Sequence, residues 1–174
     1  MTSPHTVLVV EDEANTRAYM AHHLHRLGYD VVEAVGLVDG QAAVDTHVFD
    51  LVFLDLGLGR DDPDGRRGRQ LFAHLQSVAP EVPVIVVTAD DSAQSAVDLL
   101  RKGAWHYAVK TIEPDEIEHL ARIGIELSTA RRTLGVLRDV QRRSGDVPWF
   151  VGSTSRMRTI EHIVERFAPT DVGV

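Results

Sequence analysis

Apolar and polar positions alternate in blocks along the first 113 residues. Short apolar runs read as buried strands over 6–10, 30–34, 51–54, 82–88 and 106–109. Between them, apolar residues at helical spacing predict helices over about 15–27, 38–47, 69–77 and 92–102, with Gly28 and Gly103 closing two of them. Strand and helix in strict alternation predict an α/β fold, a doubly wound five-stranded parallel sheet covered on both faces.

The texture changes at Pro114. Proline suits a first helical turn, and Asp115, Glu116 and Glu118 favour its positive end. No proline follows until Pro148, so one helix can run for nearly thirty residues. Gly124 and Gly135 each cost it about 1 kcal/mol against alanine, so it needs support from outside itself. Leu120, Ile123, Leu127, Ala130, Leu134 and Leu137 recur at the 3-4 spacing of a heptad seam, with Glu126 at g and Arg131 at the following e. That pattern predicts a parallel homodimer through this helix. After a break at 144–148, Met157, Ile160, Val164 and Phe167 form a further apolar stripe, expected to pack on the linker helix or on a neighbouring chain. The expected domains are 1–120, a helical linker over 121–147, and a separate segment over 148–174.

In an open α/β sheet, ligands bind outside the carboxyl ends of the strands. Here those ends carry Glu11, Asp12 and Glu13, then Asp55, Thr88 and Lys110. Clustered carboxylates suit magnesium, a hard cation that takes oxygen ligands, and the amine and hydroxyl suit a phosphoryl group beside it. Other residues read more plainly. Asp61, Asp62 and Asp64 lack the spacing and closing glutamate of a calcium loop and predict a solvated, flexible loop. His22, His23 and His25 fall on the polar side of a helix whose buried stripe is Met20, Leu24 and Leu27, so all three are expected at the surface. No G-x-x-x-x-G-K-[ST] loop is present, which argues against a nucleotide-binding enzyme.

Charge and composition narrow the reading. Residues 1–113 hold 17 Asp and Glu against 9 Lys and Arg, whereas 114–174 hold 9 of each, so the first part is a poor nucleic-acid binder. Cysteine is absent, excluding disulfides and thiolate metal sites. No apolar run approaches membrane-spanning length and the first residues carry no basic leader, so no membrane association and a cytoplasmic location are expected.

VLVVEDE, the strand-ending Asp55, VIVVTA and the strand before Lys110 together resemble the receiver domain of two-component response regulators, over about residues 5–120. The resemblance implies a flavodoxin-like sheet of order 2-1-3-4-5. It further implies Asp55 as phosphoacceptor and metal ligand, Asp12 as main metal carboxylate, Glu11 acting partly through water, and the Gly57 carbonyl as a metal ligand. Thr88 becomes the switch hydroxyl, Tyr107 the rotating aromatic and Lys110 the phosphate-binding lysine. Gly57 also stands where aspartyl-nucleophile phosphatases carry a second acid.

Two departures from the pattern stand out. The loop LGLGRDDPDGRRGRQLF reads as an insertion of about five residues, with Gly68 the matching glycine. Thr111 follows Lys110 where the family has a cis proline; a cis bond before threonine costs roughly 3 kcal/mol, so a trans bond and a slightly different lysine approach are expected.

The last segment, VGSTSRMRTIEHIVERFAPTDVGV, resembles the opening of the AAA+ domain in sigma-54-dependent activators of the NtrC family. The combined expectation is the regulatory part of such an activator. A sensor histidine kinase phosphorylates Asp55, and sigma-54 RNA polymerase and DNA are reached only through domains absent from this sequence. The protein is not a conventional enzyme in this reading. The alternative is a pseudo-receiver, an interaction module whose altered loop has abolished phosphorylation.

Overall fold

A computed structural model describes residues 5–62, 64–90 and 92–143, with side chains through Val136. Ten elements alternate: β1 Thr6–Val10, α1 Ala14–Arg26, β2 Asp30–Ala34, α2 Leu37–Thr46, β3 Leu51–Leu54, α3 Arg66–Val78, β4 Val84–Thr88, α4 Ala93–Arg101, β5 His106–Val109 and α5 Pro114–Arg143. The strands form one parallel sheet in the order β2-β1-β3-β4-β5. This is the flavodoxin-like order that the receiver resemblance implies. Strand order reverses at β1 and β3, which opens a crevice at their carboxyl ends, where Glu11, Asp12 and Asp55 follow.

Both faces of the sheet are covered, so β3 buries all four of its residues. Leu51 and Phe53 enter the core shared with α1 and α5, and Val52 and Leu54 the core shared with α2 and α3. The period of two distributes consecutive apolar residues between the two cores. Each fully buried Leu or Phe contributes roughly 1.5–3 kcal/mol, which makes the strand ends rigid anchors.

The compact first unit runs through Ser128, and packing within it corrects several expectations. Leu120, assigned to the dimer seam, is 6% exposed and packs with Ile117, Ala121 and Ile125 against the sheet. Those residues share one helical face, and the sheet takes it. Ile123, Leu127, Ala130 and Leu134 remain partly exposed; the side chain of Leu137 and the whole segment 148–174, with its apolar stripe, lie outside the described residues. Gly124 gets its support within the chain: a Cβ there would stand 2.6 Å from Leu51 Cδ1, so α5 approaches the sheet closely at this point.

His22 and His25 are exposed as expected, but His23 is buried, its Nδ1 3.9 Å from Glu118 Oε1 of α5. The buried arc of α1 is widened by the helix packed beside it. The aspartate loop also differs from the expected solvated segment. Asp62 is 7% exposed and accepts the N–H groups of Arg66 and Arg67 at 3.0 and 2.7 Å. This side chain starts α3 at Arg66, three residues before the position predicted from apolar spacing.

Candidate functional site

Backbone hydrogen bonds carry the strand register into the loops above the sheet. Glu11 N–H donates to the Ala34 carbonyl at 3.1 Å, Asp55 N–H to Val10 at 2.9 Å and Lys110 N–H to Thr88 at 2.9 Å. Each functional side chain is therefore mounted on the first residue beyond a strand, or on its last, with no slack in the backbone beneath it. Asp12 sits one residue farther out, in a loop tied down by Arg17, whose Nη1 donates to the Glu11 carbonyl at 2.8 Å while its Nε pairs with Glu33 at 3.2 Å.

Glu11, Asp12 and Asp55 come together with one carboxylate oxygen from each within 4.8 Å of the others. Glu11 is 1% and Asp55 3% exposed. Lys110 Nζ lies between the two buried acids, 2.9 Å from Glu11 Oε1 and 2.8 Å from Asp55 Oδ2. Glu11 Oε1 also accepts the Glu13 N–H at 3.1 Å. Glu11 Oε2 and Asp55 Oδ1 have no hydrogen-bond partner and are buried.

The electrostatics follow from this packing. Burial raises the Glu11 carboxyl above its ordinary range; the Lys110 hydrogen bond opposes this and the nearby Asp55 charge adds to it. For Lys110, burial pushes downward, but its pairing with Asp55 and Glu11 outweighs this and holds the ammonium above its usual value. Two buried acids share one lysine beside a third carboxylate, and one buried oxygen of each lacks a partner. This donor set fits a hard divalent cation, which would relieve both the repulsion and the unmet hydrogen bonding.

The Gly57 carbonyl, expected among the metal ligands, accepts the Gly59 N–H at 3.1 Å. Gly57 itself lies beside Asp55, a Cβ there being 3.5 Å from Asp55 Oδ2. Gly68 has a clear steric cause. A Cβ at this position would stand 2.3 Å from Leu56 Cα and 2.6 Å from the Asp55 carbonyl oxygen, so α3 rests directly on the backbone that carries Asp55. The Lys110–Thr111 peptide is trans, and the lysine reaches Asp55 all the same.

Thr88 is buried at the end of β4, and its hydroxyl accepts the Asp90 N–H at 3.3 Å. The Tyr107 hydroxyl donates to the Asp90 carbonyl. The two expected switch residues thus meet at one residue, Asp90, one at its N–H and the other at its carbonyl, a link that sequence spacing does not reveal. A cavity of about 280 Å³ opens over Asp55 and is lined by Gly57, Thr88, Lys110 and, unexpectedly, Arg69. Arg69 was missed because its place on the cavity wall depends on where α3 begins, which the buried Asp62 decides.

The chain matches the family described as response regulator receiver domain over residues 7–122. It is 31% identical over 168 residues to the alginate biosynthesis transcriptional regulatory protein AlgB of Pseudomonas aeruginosa, covering 97% of this chain and 36% of AlgB. It is 26% identical over 176 residues to the transcriptional regulatory protein ZraR of Salmonella typhimurium, again covering 97% of this chain and 36% of the relative. The chain therefore spans about a third of the length of these relatives. A crystal structure of NtrX from Brucella abortus superimposes with a TM-score of 0.69 at 29% identity, over 96% of this chain and 36% of that one. A CheY-like receiver domain from Methanospirillum hungatei shares the fold, with a TM-score of 0.66 at 23% identity, over 73% of this chain and 98% of that one.

Proposed function

Because the chain belongs to the response regulator receiver family, we propose that it is the regulatory part of a sigma-54-dependent transcription activator, phosphorylated on Asp55 by a sensor histidine kinase. The observation that carries this reading is the convergence of Glu11, Asp12, Asp55, Thr88 and Lys110 from four strand ends. The similarity to AlgB and ZraR, which extends beyond the receiver to nearly the whole chain, supports an activator of their kind. Sigma-54 RNA polymerase and DNA would be reached through parts of the protein outside this sequence.

Magnesium is the cation best suited to Glu11, Asp12, Asp55 and the Gly57 carbonyl. When bound it supplies positive charge that neutralises the carboxylates and the incoming phosphoryl oxygens. Asp55 Oδ1, which has no hydrogen-bond partner, is the attacking oxygen. An O–P bond forms as the P–N bond of a phosphohistidine breaks, and the electron pair departs with the imidazole. Lys110 stays beside the oxygens that receive the new charge. Thr88 and Tyr107 hold the two backbone groups of Asp90, its N–H and its carbonyl. A Thr88 hydroxyl that turns to the phosphate therefore releases the Asp90 N–H and loosens the acceptor that holds Tyr107.

The chain acts on its own aspartate and is not a conventional enzyme. Its other partner is a second copy, joined along Ile123, Leu127, Ala130 and Leu134. A cytoplasmic location fits this role, and no described helix is long and apolar enough to cross a membrane. Intact-mass measurement after incubation with acetyl phosphate tests the assignment. One phosphoryl adduct is expected with magnesium, and none with EDTA or in Asp55→Asn. An unmodified parent, or an equal adduct in the variant, would refute it.

A further inference from the structure

The loop between β3 and α3 is fastened both to itself and to the acidic site. The Gly59 N–H is shared between Asp12 Oδ2 and the Gly57 carbonyl, 3.1 Å from each. The Leu58–Gly59 backbone that aims it there is held from two sides. The Asp62 N–H donates to the Gly59 carbonyl at 3.0 Å, and Asp62 is itself fixed by the first N–H groups of α3. On the other side the Arg67 guanidinium closes over Gly59. It donates to the Leu58 carbonyl at 3.1 Å and, through both arms, to Asp61 at 2.7 and 2.6 Å. Gly59 has φ +118°, and a Cβ there would stand 2.4 Å from Arg67 Nη1, so both the backbone and the clasp require glycine.

We propose that Arg67 is a positioning residue for the cation site. By gripping Leu58 and Asp61 it sets the Gly59 N–H against Asp12 and Gly57, and so presets both groups for magnesium. The inference rests on the cation site of the proposed function. A carboxylate that gives one oxygen to a metal is oriented by the donor on its other oxygen, and loss of such outer partners typically costs about 10- to 100-fold in metal affinity. On this account the inserted loop is a brace for the site, whose altered sequence preserves metal binding.

The two effects open to Arg67 have opposite signs. Arg67 and Asp12 line one cavity of about 490 Å³. As a nearby cation, Arg67 would repel magnesium, and its removal would tighten binding. As the clasp, it holds the ligands, and its removal loosens binding. Arg67 is also 41% exposed in its side chain and outside both core clusters, so its loss leaves the fold in place.

The test is a magnesium titration of the unphosphorylated chain, followed by backbone amide NMR, in the parent, Arg67→Ala and Arg67→Gln. Melting in EDTA serves as the folding control. Roughly ten-fold weaker magnesium binding is expected in both variants with the melting temperature held. Should Arg67→Ala fail to fold, the milder Arg67→Gln decides alone, since glutamine removes the charge and cannot span Leu58 and Asp61 together. Binding as tight as the parent's, or tighter, overturns the inference. A parent that binds no magnesium would instead overturn the cation site itself, a separate result.

Discussion

Replacing Gly68 by alanine should destabilise the protein, against the direction that helix propensity predicts. In an exposed helix interior, glycine to alanine gains about 1 kcal/mol. At Gly68 the new methyl carbon would stand 2.3 Å from Leu56 Cα and 2.6 Å from the carbonyl oxygens of Asp55 and Leu56. Ordinary carbon contacts lie near 3.5–4.0 Å, so α3 would have to back away by about 1 Å. The obstructing atoms are backbone and cannot rotate aside. Overpacking of this kind costs about 1–3 kcal/mol, which offsets the gain of about 1 kcal/mol and leaves a net loss of up to about 2 kcal/mol. The shift would also move the Asp55 carboxylate relative to Lys110, so phosphorylation by acetyl phosphate should slow. Gly135→Ala is the matched control. Nothing lies within 4 Å of a Cβ there, so that variant should gain up to about 1 kcal/mol. Urea unfolding of both variants beside the parent, with phosphorylation rates for Gly68→Ala, provides the measurement. A Gly68→Ala protein as stable as Gly135→Ala and as quickly phosphorylated as the parent would refute the argument that α3 rests on the Asp55 backbone.

Two other outcomes are expected. Magnesium at about a hundred times its dissociation constant should add about 2.7 kcal/mol to unfolding stability. That gain should shrink as pH falls, because the Glu11 carboxyl is raised above its ordinary 4.5 and a proton competes with the cation. The sign for Glu11 alone runs the other way: without cation its favourable contribution is full below 4.5 and is lost as pH rises through the raised value. Melting with magnesium and with EDTA from about pH 8 to about pH 5 reads both trends, and a pH-independent magnesium gain would count against Glu11 as a ligand. For the helix seam, the Leu127→Asp/Leu134→Asp variant should sediment at half the parent mass, and equal masses would rule out the seam.

The order of elements, the parallel sheet and the polar residues at four strand ends were legible in the chain alone. All of these follow from short-range periodicity: a run of apolar residues is a strand whatever lies beside it, and the residue after it must emerge at the sheet's edge. Asp55 and Lys110 were legible for this reason, although 55 residues separate them. Facts that depend on which surface meets which were not legible there. Leu120 fits a heptad as well as it fits a core, and only the sheet against α5 assigns it to the core. His23 looks polar until α5 packs against α1. Asp61 and Asp62 read as solvated charge and Arg67 drew no reading of its own, because a hydrogen bond from a side chain to a loop backbone leaves no periodic trace. Folded, they fasten Gly59 to Asp12 across 47 residues of chain. Periodicity records the environment of a residue along its own element, whereas a site is made by the distances between elements, and those are set only when the elements pack.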